Sequence, residues 1–139
     1  MKILIMGLSG AGKTTLAEKL VTKLKSEYSV LWLNADKIRK QYDDWDFTIN
    51  GRLRQSHRIN KLANESTCDH TISDFIAPTP NIRKIFSADY TIWVDTINYC
   101  DYHNTNILFQ PPKKYNYRIE NYNNHNKHVD CIFNDLINV

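Results

Sequence analysis

Nine residues near the amino terminus have the types and spacing to hold a polyphosphate: Gly7, Leu8, Ser9, Gly10, Ala11, Gly12, Lys13, Thr14 and Thr15. They fit the phosphate-loop pattern GxxxxGK[ST], with Gly7, Gly12, Lys13 and Thr14 at the defining places. Glycines let backbone N–H groups point inward at phosphate oxygens, and the helix that follows adds the positive end of its dipole. Lys13 can reach the outer phosphates, and the Thr14 hydroxyl can ligate Mg²⁺. The context favours this reading over a glycine-rich turn that only caps a helix. An apolar run, Ile3 to Met6, precedes the loop, and Leu16, Leu20 and Leu24 follow at helical spacing. A nucleoside triphosphate, ATP with Mg²⁺, is the expected ligand. The motif does not identify what receives the phosphate.

A second group of reactive residues follows the next apolar run. Asp36 lies just past the carboxyl end of that run, where open α/β sheets place their ligands. A carboxylate there can take a proton from a substrate hydroxyl, hold metal waters, or cap a helix. Arg39 is three residues on and faces the same side of a helical turn. Arg52, Arg54, Arg58 and Lys61 make a further helix basic. Arg54 and Lys61 read as a solvated face, whereas Arg52 opens that helix close to Phe47. Asp74 reads either as the acidic residue that organises Mg²⁺ water or as a strand carboxylate bonded to a neighbouring loop. His125, His128 and Cys131 share a helical face. With no fourth ligand evident they read as solvated histidines and a packed cysteine rather than as a zinc site. Trp32, Trp45 and Trp93 read as core residues, with substrate contact the alternative for Trp45 beside Phe47.

The elements that must position these residues alternate between apolar runs and helical patterns, which implies an α/β fold with a parallel sheet. Strands are expected at Lys2 to Met6, Val30 to Leu33, His70 to Ile76, Tyr90 to Asp95 and Tyr115 to Ile119. Helices are expected from Lys13 to about Glu27, over Ala35 to Tyr42, and from Thr48 as N-cap to about Ala63. The third of these carries Ile49, Leu53, Ile59 and Leu62 on its apolar side. Two more are expected from Pro80 through Phe86, and from His128 to Ile137. The stretch from Thr96 to Lys114 reads as irregular, the length of a lid or binding loop. A polar segment, Glu120 to Lys127, precedes the last helix.

A length of 139 residues with 42% hydrophobic content suits one domain with one core, spanning 1–139. No apolar run approaches the roughly 18 residues needed to cross a bilayer. The apolar run after Lys2 is too short for a signal sequence, so a cytoplasmic location is expected. Three dispersed cysteines argue against a disulfide framework and suit a reducing compartment. A net charge of +3 is compatible with small anions and too weak to argue for nucleic acid.

At these motifs the chain resembles the adenylyl-sulfate kinase (APS kinase) family. The family's loop GLSGSGKST is GLSGAGKTT here, its LDGDNxR is LNADKIR, and its DLGFSxxDRxENIRR is DWDFTINGRLRQSHR. Its third strand ends in ISP, here Ile76-Ala77-Pro78, and a downstream arginine falls on Arg83. The resemblance is collinear over roughly the first 95 residues, and the second and third motifs carry its specificity. It implies a single phosphate-loop kinase domain with a parallel five-stranded sheet flanked by helices. It implies transfer of the ATP γ-phosphate to the 3′-hydroxyl of adenylyl sulfate, with Lys13 and Asp36 catalytic. Arg39 and Arg52 match residues that hold the phosphosulfate end, and Phe47 matches an aromatic that stacks on adenine. Gln55 stands in place of the family's Asn, and Ile76 and Ala77 match positions lining the substrate pocket. Family members are often dimers, so a homodimer is the implied assembly.

The departures are specific. Asn34 replaces the first acidic residue of the second motif, and Asp74 can compensate for it. Asp46 replaces Gly, and Gly51 replaces Asp. Beyond Asp95 the family's lid motifs are missing and the lid is shortened, leaving Lys113 or Lys114 to substitute for its arginine. Phe109 can supply the second face of an adenine clamp, or anchor a loop in the core. Two rival functions stay open: a kinase for another nucleoside or nucleic-acid hydroxyl, and a non-catalytic nucleotide-binding protein.

Overall fold

A computed structural model describes residues 1–121 and 123–138. Tyr122, within the polar segment expected at 120–127, and Val139 lie outside the described residues. Eleven elements follow in order: β1 (Lys2–Met6), α1 (Lys13–Leu24), β2 (Val30–Asn34), α2 (Ala35–Tyr42), α3 (Ile49–Glu65), β3 (His70–Asp74), α4 (Pro80–Phe86), β4 (Tyr90–Val94), α5 (His103–Leu108), β5 (Tyr117–Ile119) and α6 (His125–Ile137). The five strands form one parallel sheet in the order β2-β3-β1-β4-β5.

β1 shows how the sequence builds two layers. Its side chains alternate faces. Ile3 and Ile5 pack with Leu16, Leu20 and Leu24 of α1 and with Val129, Ile132 and Leu136 of α6. Leu4 and Met6 point the other way, against Ile59 of α3 and Ile82 and Phe86 of α4. Because β1 is central and both faces are covered, its run is continuously apolar, as parallel strands require. The carboxyl ends of the strands then lie along one edge, where the phosphate loop follows β1 and Asp36 follows β2.

Helix starts follow local chemistry. The Thr48 hydroxyl accepts from Gly51 N at 3.2 Å, and the Thr79 hydroxyl from Ile82 N at 3.3 Å, with Pro80 in the first turn. Asn34, not Asp36, caps α2: its side chain accepts from Lys37 N at 3.0 Å, which leaves the Asp36 carboxylate in the first turn. Several expectations need correction. The stretch from Thr96 to Lys114 contains a helix, α5. β3 ends at Asp74, β5 starts at Tyr117, and α6 starts at His125. Ile49, expected on the apolar side of α3, is 64% exposed. Trp45 is exposed rather than in the core, and Cys131 is exposed on α6 rather than packed.

Candidate active site

The donor half of the site is built mainly from backbone. Gly7 leaves β1 with φ 152°, and a side chain there would place its Cβ 2.4 Å from the Val94 carbonyl oxygen. Gly12, at φ 105°, opens α1 in a conformation that glycine adopts without strain. Lys13 Nζ donates to the Leu8 carbonyl at 2.8 Å, so the lysine arches back over its own loop. Burial brings its pKa down to about 8, against the pull of Asp74 and Asp36. Ser9, Gly10, Gly12, Lys13, Thr14 and Thr15 face the cavity. Leu8 and Ala11 are buried and shape the loop from below.

At the foot of α1 the Thr14 hydroxyl donates to Asp74 Oδ2 at 3.0 Å. Asp74 is 2% exposed, and its carboxylate also accepts from Asn34 Nδ2 at 2.9 Å and from the Trp32 indole N–H at 2.7 Å. Burial raises the Asp74 pKa, and the bonds from Trp32, Thr14 and Asn34 oppose that rise. The substituted residue of the second motif thus works as a clamp: one end of Asn34 caps α2 and the other orients Asp74. A threonine hydroxyl beside a carboxylate is an oxygen donor set, which fits the hard-cation preference of Mg²⁺.

The acceptor half is built from side chains. One cavity of about 400 Å³ is lined by the phosphate loop on one side and by Asp36, Arg39, Phe47, Arg52, Gln55, Ile76 and Ala77 on the other. Arg39 is 4% exposed and donates to the carbonyls of Asp44 and Asp46 at 2.8 and 3.1 Å. Arg52 is 7% exposed and donates to the Phe47 carbonyl at 2.9 Å and the Thr105 hydroxyl at 2.8 Å. Both guanidiniums approach the half-exposed Phe47 ring, at 4.2 and 5.5 Å from its centroid. Among the described residues neither forms an ion pair, although burial disfavours their charge and lowers both pKa values. Both guanidiniums line the cavity and are held by neutral acceptors, backbone carbonyls and a hydroxyl. Gln55 donates to the Ala35 carbonyl at 3.1 Å, tying α3 to the segment that carries Asp36.

A knot of charges holds the Phe47 turn in place. Arg54 makes a two-pronged contact with Asp44, at 2.7 and 2.9 Å, and Arg58 adds a third bond at 3.0 Å. These partners hold the Asp44 pKa far below the usual carboxylate range, with the Arg54 bond the largest cause. Arg54 is exposed, as expected of a solvated face, and its guanidinium also braces this turn. The two departures at Asp46 and Gly51 meet in space. A Cβ on Gly51 would lie 2.2 Å from the Asp46 carbonyl oxygen and 2.4 Å from its Cγ. The missing side chain lets the turn lie directly on α3, and there Asp46 accepts from Thr48 N at 2.9 Å.

Phe109, expected either to clamp adenine or to anchor a loop, and Trp45, for which substrate contact is the alternative to a core place, do not converge on the cavity. Phe109 packs partly buried on the α4 side of the sheet, with the Arg83 guanidinium 5.6 Å from its ring centroid, and does not line the cavity. Trp45 does not line it either. Arg83 lies behind the wall, donating to the Ala77 carbonyl at 2.8 Å and to the Gln110 carbonyl. Sequence reasoning missed Trp32, Asp44 and Thr105. Only Asp44 left a signal, as a carboxylate in a segment followed by four basic residues.

Comparison with known proteins identifies the family and the fold. The family model for adenylylsulphate kinase matches residues 1–109. No curated protein sequence matches the chain. Among solved structures, the APS kinase CysC of Mycobacterium tuberculosis, determined in complex with AMPPNP and APS, superposes with a TM-score of 0.84 at 19% identity, covering 99% of this chain and 97% of that one. A hexameric APS kinase from Thiobacillus denitrificans gives a TM-score of 0.75 at 23% identity, covering 99% of this chain and 28% of that one. Shikimate kinase from Aquifex aeolicus gives 0.69 at 14% identity, covering 99% and 97%, so the fold is shared more widely than the acceptor. The chain belongs to the adenylylsulphate kinase family, and with it to the ATP-dependent phosphotransferases.

Proposed function

We propose that this kinase transfers the γ-phosphate of ATP to the 3′-hydroxyl of adenylyl sulfate, giving 3′-phosphoadenylyl sulfate. The observation that carries the reading is the pair of buried guanidiniums hydrogen-bonded to neutral acceptors, Arg39 and Arg52, beside the Phe47 ring in the cavity that Lys13 and Asp36 share. A phosphosulfate needs two adjacent cations, and an adenine needs a flat apolar face. Arg39 and Arg52 bind the anionic end and Phe47 stacks on the base. This orients the ribose toward Asp36, which lies at the cavity rim. Asp36 then accepts the proton of the attacking 3′-hydroxyl. Lys13 holds the phosphate that is transferred and balances its developing charge. Thr14 and Asp74 would hold Mg²⁺, which when bound neutralises phosphate charge.

A cytoplasmic location and a homodimer belong to the same reading; among the described residues no helix is long and apolar enough to cross a membrane. Sedimentation of the purified chain checks the dimer. Substrate-dependent thermal shift tests the acceptor: adenylyl sulfate should raise the melting temperature of wild type. It should do so far less in Phe47→Ala and Arg52→Ala. An equal shift in both variants contradicts this pocket.

A further inference from the structure

The segment 96–110, which follows β4, is tied to the rim of the cavity at three places. At its start the Thr96 hydroxyl donates to the Ala11 carbonyl of the phosphate loop at 2.7 Å. At its end Gln110 N donates to the Pro78 carbonyl at 2.8 Å. Between them α5 brings Thr105 against Arg52. Thr105 is 2% exposed, and its Oγ1 accepts from Arg52 Nη2 at 2.8 Å. The approach of α5 is stapled by Asn106, whose side chain accepts from Cys100 N and donates to the Cys100 carbonyl, both at 2.8 Å. A helix this short, without a side-chain N-cap, has little stability of its own. Its placement comes from these long-range bonds.

The chemistry of Arg52 makes that contact consequential. A guanidinium recognises anions through a planar fork, so its plane decides which oxygens it can reach. Arg52 is anchored at Nε by the Phe47 carbonyl and at Nη2 by Thr105. Two anchors on different nitrogens fix both plane and rotation. Both are neutral, so neither cancels the charge offered to the cavity. We propose that Thr105 is a positioning residue that sets the plane of Arg52 for the acceptor's anionic group, which makes segment 96–110 part of acceptor selection. The acceptor half of this inference rests on the function proposed above, while the Thr105–Arg52 coupling can be tested without it.

Two variants separate the hydroxyl from the packing. Thr105→Val keeps the volume and removes the acceptor oxygen, and Thr105→Ser keeps the oxygen. In calorimetry with the full chain, Thr105→Val should weaken adenylyl sulfate roughly tenfold, the loss typical of a hydrogen bond to a charged group. It should raise the KM for adenylyl sulfate more than it lowers kcat and leave the MgATP affinity within about twofold, whereas Thr105→Ser stays near wild type. Unchanged adenylyl sulfate affinity in Thr105→Val, or an equal loss for MgATP, overturns the proposal. A second readout uses no acceptor. In nitrogen-15 spectra of the guanidinium groups, Arg52 should show restricted rotation in wild type and Thr105→Ser, and averaged signals in Thr105→Val. Identical Arg52 signals in Thr105→Val and wild type overturn the positioning role. If wild type binds no adenylyl sulfate, the proposed function fails, and the Arg52 spectrum still decides the role of Thr105.

Discussion

Under the proposed function the two halves of the cavity each hold an anion, by different means. The phosphate loop uses backbone N–H groups and one lysine, and its shape depends on glycines such as Gly7 and Gly12. The acceptor wall uses side chains, and each needs others to hold it: Arg39 and Arg52 depend on a turn that Asp44, Arg54 and Arg58 pin down. A backbone cradle is encoded locally, within nine consecutive residues. A side-chain receptor is encoded across elements far apart in the chain. Damage to the first should therefore be abrupt and confined to ATP. Damage to the second should be graded and transmitted through supporting residues.

Removing the central charge of the cradle is the harshest test of that contrast. Lys13→Ala should lower kcat by about 10³-fold, the scale of losing a preorganised donor at developing charge, in a steady-state assay with either substrate saturating. Arg52→Ala should lower kcat/KM for the acceptor by roughly 100-fold, with the MgATP dissociation constant unchanged by calorimetry. Asp44→Asn touches neither substrate and should act through the turn, raising the acceptor KM by roughly tenfold. A similar loss of MgATP affinity in Asp44→Asn would erase the distinction between the halves. Gly51→Ala forces a Cβ onto the Asp46 carbonyl and should cost about 1–3 kcal/mol of stability in urea unfolding, the usual penalty for overpacking.

The smallest effect is one of pH and belongs to the cradle alone. The Lys13 pKa lies near 8 in the free protein, below its ordinary value of 10.5. A bound polyphosphate favours the charged form, so as pH rises through 8 the lysine must take up a proton when ATP binds. MgATP affinity should fall above that pH, and calorimetry at pH 8.5 in two buffers of different ionisation enthalpy should show proton uptake. Lys13→Arg should show none, because a guanidinium stays charged.

The same contrast decides what was legible in the sequence. β1, the phosphate loop and α1 can be read directly, because a short apolar run, glycine spacing and a leucine stripe are local signals. Asp36 and Arg39 stand out by position and spacing and Arg52 by its place beside Phe47, an ordered resemblance supplies their expected roles, and the structure places all four on one cavity. The N-cap of α2 went to Asn34 because cap preference does not distinguish Asn from Asp. Trp32 was read as core because nothing local reveals that its indole meets a carboxylate 42 residues away. α5 was invisible because His103–Leu108 carries almost no apolar periodicity, and a threonine bond to α3 and an asparagine staple hold it instead.

The most direct test of the central claim is a transfer assay with γ-labelled ATP, Mg²⁺ and adenylyl sulfate, resolving the products by chromatography. Wild type should move label into 3′-phosphoadenylyl sulfate, and Asp36→Asn should bind both substrates yet transfer roughly 100-fold more slowly. A wild-type chain that binds MgATP but labels no adenylyl sulfate at millimolar concentration would contradict the account.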